Sequence, residues 1–88
     1  MIQFDLAFHY RGMNVVVHVS KMVPASGNSS YVVEVEEAEK FNITESIMIQ
    51  SDQNGKLAFY FRFGDELLLK EIAKQILYYC HHHNISIR

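Results

Sequence analysis

From Ile2 to Tyr10 the chain alternates strictly. Ile2, Phe4, Leu6, Phe8 and Tyr10 fall on one side, and Gln3, Asp5, Ala7 and His9 on the other. That period of two belongs to a strand with one buried face. Arg11-Gly12 interrupts it, and a second alternation sets Met13, Val15, Val17 and Val19 against Asn14, Val16, His18 and Ser20. A two-residue turn at Arg11-Gly12 pairs Tyr10 with Met13, Phe8 with Val15 and Leu6 with Val17, so that the apolar sides of both strands coincide.

Pro24 to Ser30 is the longest loop signal, and Tyr31 to Glu36 resumes alternation with Tyr31, Val33 and Val35 inward. Glu36 to Phe41 is open to two readings. It either continues the strand or forms one helical turn that drops Phe41 onto the core. Ile43 to Gln50 reads as a strand with Ile47 and Ile49 inward, and Leu57 to Phe63 as another with Leu57, Phe59, Phe61 and Phe63 inward. A two-residue Asn54-Gly55 turn would mix the faces of this second hairpin. A three-residue loop, Gln53-Asn54-Gly55, pairs Ile49 with Phe59 and Ile47 with Phe61, and is the expected form.

A helix follows. Asp65 is the expected N-cap. At 100° per residue Leu68, Leu69, Ile72, Ala73, Ile76, Tyr79, Cys80 and His83 form one stripe, and Asn84 suits a left-handed C-terminal cap. Residues 85–88 read as a short tail. The predicted fold is a single α+β domain over residues 1–88: an antiparallel sheet of four to five strands, two hairpins plus a connecting strand, packed on one C-terminal helix.

This layout has a width problem. Five strands about 4.8 Å apart span roughly 20–25 Å, whereas a helix with its side chains is about 10–12 Å across. One helix covers two or three strands, yet every strand carries large inward apolar residues. Sheet curvature, the Glu36–Phe41 segment folding over, or a second copy of the chain must cover the remainder. The outer face also carries Ala7, Val16, Val32, Met48 and Tyr60 among His9, His18, Glu34 and Arg62, an expected apolar patch large for a monomer.

Composition narrows the function classes. Hydrophobic residues are 49% and charged residues 20% of 88, the balance of a folded domain. The net charge of -2 includes no basic block to meet a phosphate backbone, so no nucleic-acid partner is expected. The absence of any apolar run near 18 residues argues against a membrane span. Cys80 stands alone, so no intrachain disulfide forms, and Met1 to Asp5 lacks the basic start and apolar core of a signal peptide. A cytoplasmic location is expected.

Candidate chemistry is sparse. His81, His82 and His83 are consecutive, and adjacent helical positions diverge by 100°, so they read as polar residues at a helix C-terminus rather than as metal ligands. The first hairpin sets Asp5 opposite His18, half of a triad, with Ser20 opposite Gln3 and Glu34 or Arg62 as further candidates for the cluster. A cross-strand polar pair is the simpler reading. Cys80 lies on the core stripe and reads as packing. Asp52 and Lys56 are expected to pair weakly across the second loop. Glu34, Glu36, Glu37 and Glu39 read as a solvated edge that discourages strand-to-strand aggregation. None of Gly12, Gly27, Gly55 and Gly64 forms a nucleotide-binding pattern.

The expected function is a small intracellular protein–protein interaction or scaffold module that self-associates as a homodimer. The expected surface is the outer face: Val16, His18, Val32, Met48, Tyr60 and Arg62. No metal or cofactor is expected. The alternative is a small-ligand domain with a pocket between helix and sheet, including His83. An enzyme working from the Asp5/His18 face is the least favoured reading.

Overall fold

The computed structural model describes residues 2–22, 29–43, 46–51, 57–59 and 65–85. The Pro24 loop up to Asn28, the Gln53-Asn54-Gly55 loop with Asp52 and Lys56, the glycines 27 and 64, the second hairpin beyond Phe59 and the tail after Ile85 lie outside the described residues, as do Tyr60 and Arg62.

Five antiparallel strands form one sheet in sequential order. They are β1 (Ile2–Tyr10), β2 (Met13–Met22), β3 (Ser30–Val35), β4 (Ser46–Ser51) and β5 (Leu57–Phe59). A 3-10 turn, η1 (Ala38–Phe41), interrupts the meander between β3 and β4, and α1 (Glu66–His82) follows it. This is the predicted α+β class.

The first hairpin has the predicted register, with Tyr10 opposite Met13, Phe8 opposite Val15 and Leu6 opposite Val17. Arg11 (φ 52) and Gly12 (φ 78) are both left-handed, as a two-residue turn of the type that matches strand twist requires. In the second hairpin Ile49 stands opposite Phe59, also as predicted. The predicted strand start at Ile43 is corrected: β4 begins at Ser46, and Ile43 follows η1, its N–H donating back to the Ala38 carbonyl at 3.4 Å.

The ambiguity after β3 resolves as a helical turn. Left-handed residues at both ends, Glu37 (φ 52) and Asn42 (φ 56), fold it back over the sheet, and Ala38, Phe41 and Ile43 become buried. Phe41 lies beside Tyr10, Met13 and Asp65, where the first hairpin tip meets the start of α1. Together α1 and η1 close the inner face, so that Val15, Val17, Val19, Tyr31, Val33, Ile47 and Ile49 are all buried within one molecule. For β1 to β4 the chain thus supplies its own cover. The inward phenylalanine side chains predicted for β5 lie outside the described residues.

Helix α1 is capped as expected at both ends. The Asp65 carboxylate accepts from the amides of Leu67 (3.0 Å) and Leu68 (3.2 Å), and its other oxygen accepts from the Tyr10 hydroxyl at 2.8 Å. One side chain thus starts the helix and ties it to β1. The Tyr10 bond, seconded by the cap amides and Arg11, holds the Asp65 carboxyl below its ordinary range. At the other end Asn84 is left-handed (φ 53) and the Ile85 amide donates to the Cys80 carbonyl at 2.9 Å, the bond that closes a Schellman cap. Leu68, Leu69, Ile72, Ile76 and Cys80 are buried as the stripe predicts. His83 is a correction. It is exposed, lying past the last helical residue, and it stacks on Tyr79 (4.0 Å), which in turn stacks on Phe4 (4.1 Å).

Candidate functional site

The outer face reads as rows across the strands. Ala7 pairs with Val16, and Val32 with Met48. Between these two apolar pairs runs a charged row in which Asp5 stands opposite His18 and His18 opposite Glu34. The expected apolar patch is therefore divided. Val16 and Val32 are half-buried, while Met48 is 39% exposed.

The centre of the charged row is a clamp on His18. Its Nδ1 lies 2.7 Å from Asp5 Oδ1 and its Nε2 lies 2.6 Å from Glu36 Oε2. Carboxylates only accept, so both ring nitrogens donate and the imidazole is held as a cation. The Asp5 bond, then the Glu36 bond, raises the His18 pKa above its ordinary 6.5. Pairing with Asp5 follows from the hairpin register, but Glu36 was not among the expected partners. β3 ends at Val35, the Glu36 amide donates to the Val16 carbonyl at 3.0 Å, and left-handed Glu37 turns the chain away. Glu36 thereby arrives one row from Glu34, which with Arg62 is one of the two candidates the sequence offers for the cluster.

The clamp joins β1, β2 and the turn into η1. Its contribution has a definite pH sign. A pKa higher in the folded than in the unfolded state stabilises below the unfolded value and loses that effect as pH rises through the folded one. Subtracting the His18→Gln melting profile from that of the parent between about pH 6 and 9 leaves a component that falls with rising pH. A flat difference would contradict the clamp.

The acidic run departs from expectation. Glu34 sits on the central strand β3, not on an edge. With Glu36, Glu37, Glu39 and His18 it lines a surface depression of about 210 Å³. Lys40 bonds Glu37 at 3.0 Å.

Other candidates are engaged elsewhere. Gln3 Nε2 donates to Ser20 Oγ at 3.5 Å, and both His18 nitrogens face carboxylates, so the Asp5/His18 pair has no nitrogen left to act as a base. His82 packs edge-on to Tyr78 (4.4 Å), while His83 stacks on Tyr79, and the rings diverge as helical geometry demands. Among the described residues no group of three or more His, Cys, Asp or Glu side chains is placed to hold a metal ion. Cys80 is fully buried, and burial pushes its thiol above the ordinary value against the opposing influences of Lys21 and the Tyr31 hydroxyl. Lys21 itself is only 2% exposed. It occupies the inward position that follows Val15, Val17 and Val19 on β2, so the alternation held a signal for its burial that its charge concealed.

No described helix is long and apolar enough to cross a membrane. A scan of protein-family models, a search of curated proteins and a search of solved structures each return no match to this chain.

Proposed function

We propose that this chain is a self-associating protein–protein interaction module that works through its sheet, in the cytoplasm. The observation that carries this reading is one-sided cover. Both α1 and η1 lie on the inner face, and among the described residues no element covers the outer face or pairs with the far edge of β1. Val16, His18, Val32 and Met48 are the described members of the proposed surface, and Tyr60 and Arg62 are assigned to it from sequence alone. A lone cysteine that has no intrachain partner suits a reducing compartment.

The ligand-pocket reading has less support. The core between helix and sheet is filled by Leu68, Ile72, Ile76, Val17, Val33 and Tyr31. A surface depression of about 490 Å³ lies beside it between Leu57 and the α1 residues Ala73, Leu77, Tyr78 and His81, and His83, stacked on the Tyr79 ring, is not among its lining residues. The enzyme reading lacks a free base at His18. Light scattering on the eluting peak at micromolar concentration tests the proposal. The expected mass is twice 10.2 kDa. A mass of one chain that persists as concentration is raised would defeat self-association.

A further inference from the structure

We infer that two copies of this chain join edge to edge along β1, antiparallel, with Ala7 of each copy facing Ala7 of the other across a two-fold axis. This rests on the self-association reading and places the contact between copies on the β1 edge, leaving the outer-face residues Val16, His18, Val32 and Met48 outside it.

The backbone supplies the first argument. β1 is an edge strand nine residues long, paired one-to-one with β2 from Ile2–Lys21 to Tyr10–Met13 without a bulge. It contains no proline and no lysine, two devices by which exposed edges are blunted, and its one charged side chain, Asp5, is already engaged with His18. In a two-residue hairpin the residues that flank the turn form a hydrogen-bonded pair, and such pairs alternate along the ladder. Leu6, Phe8 and Tyr10 therefore spend their amides and carbonyls on β2, while Asp5, Ala7 and His9 direct theirs away from it. The Val16 carbonyl confirms the phase. It accepts from Glu36 on the β3 side, so its partner Ala7 is not bonded through it to β2.

Side chains select the register. Pairing that keeps both helices on one side of the joined sheet must set like-facing residues opposite each other. With Asp5 on the axis two carboxylates collide. With Leu6 on the axis Asp5 faces Ala7, which has no side-chain donor for its carboxylate. With Ala7 on the axis Asp5 of each copy faces His9 of the other, twice by symmetry, and Leu6 faces Phe8 on the inner side. The Asp5 side chain is 72% exposed and uses only Oδ1 on His18, so its second oxygen is available to accept. His9 is exposed on the same face. Alanine at the axis leaves room for these longer side chains to meet. The result is one continuous sheet made from two five-stranded ones, with a doubled outer face.

Cysteine cross-linking tests the register. Opposed residues of a hydrogen-bonded antiparallel pair have Cα atoms about 5.5 Å apart, within disulfide range. Ala7→Cys is expected to form a disulfide-linked dimer under mild oxidation. Asp5→Cys and His9→Cys alone, each staggered from its own copy by more than about 13 Å, are expected to remain unlinked, yet to cross-link when mixed. Buried Cys80 serves as an internal control. A charge exchange gives an independent reading. His9→Asp and Asp5→Lys are each expected to weaken dimerisation about ten-fold or more. Mixed together they restore it, because one contact then joins Asp with Lys and the other keeps the parent Asp5–His9 hydrogen bond. If the parent is a dimer but Ala7→Cys stays unlinked and the mixture stays weak, the β1 contact is wrong while self-association stands. A monomeric parent defeats both.

Discussion

Replacing Phe41 with alanine is expected to lower the free energy of unfolding by about 3–5 kcal/mol, a large share of the roughly 5–15 kcal/mol that holds a small domain folded. The size follows from position. Phe41 is 7% exposed, on a four-residue turn whose buried residues Ala38 and Phe41 join the core. It is part of the core cluster and shares the lining of a surface depression with Tyr10, Met13 and Asp65, so its loss opens a void where hairpin, turn and helix start converge. A single 3-10 turn has little stability of its own, and Phe41, Ala38 and Ile43 are the buried residues that anchor it. Urea unfolding followed by circular dichroism measures the loss as a fall in midpoint at constant slope. Glu39→Ala, on the exposed side of the same turn, should stay within about 0.5 kcal/mol of the parent. A Phe41→Ala cost below about 1 kcal/mol would mean that η1 is not the second cover of the core.

Ile76→Ala is expected to cost about 2–5 kcal/mol. Ile76 is fully buried and lies one helical turn from Ile72, also fully buried, so the pair forms the ridge of α1 that faces the sheet. The next two residues provide the contrast. Leu77 is 37% exposed and Tyr78 is 63% exposed, and truncation of Tyr78 should cost no more than about 1 kcal/mol. The same denaturation experiment reports all three. Equal losses at Ile76 and Tyr78 would mean that α1 is rotated about its axis from the orientation described. Because Phe41 and Ile76 belong to one core cluster, both large losses act on a shared core, and Phe41→Ala with Ile76→Ala should not add simply if the core collapses around either void.

The register of the first hairpin was legible because two independent signals agree on it: the alternation of Phe4, Leu6 and Phe8, and a turn at Arg11-Gly12 that tolerates left-handed backbone. Half of the candidate site came with it, since the same register puts Asp5 opposite His18. The helix cap at Asp65 and the buried stripe from Leu68 to Cys80 were legible for the same kind of reason, being periodic and local. His83 was misassigned because a stripe extended arithmetically takes no account of where the helix stops. Lys21 went unnoticed because residue type outweighed position in the pattern.

What the chain determines by itself is therefore whatever neighbours along it can enforce: strand faces, turn positions, caps and the helical stripe. These depend on backbone geometry that repeats every two or 3.6 residues. Tertiary structure alone decided that η1 folds over the sheet, that Glu36 rather than Glu34 completes the His18 clamp, and that the inner residues of β1 to β4 are covered within one molecule. Each of those outcomes turns on which distant segment gains more by burying its apolar side chains or pairing its charge, a competition between parts of the molecule that no local period encodes.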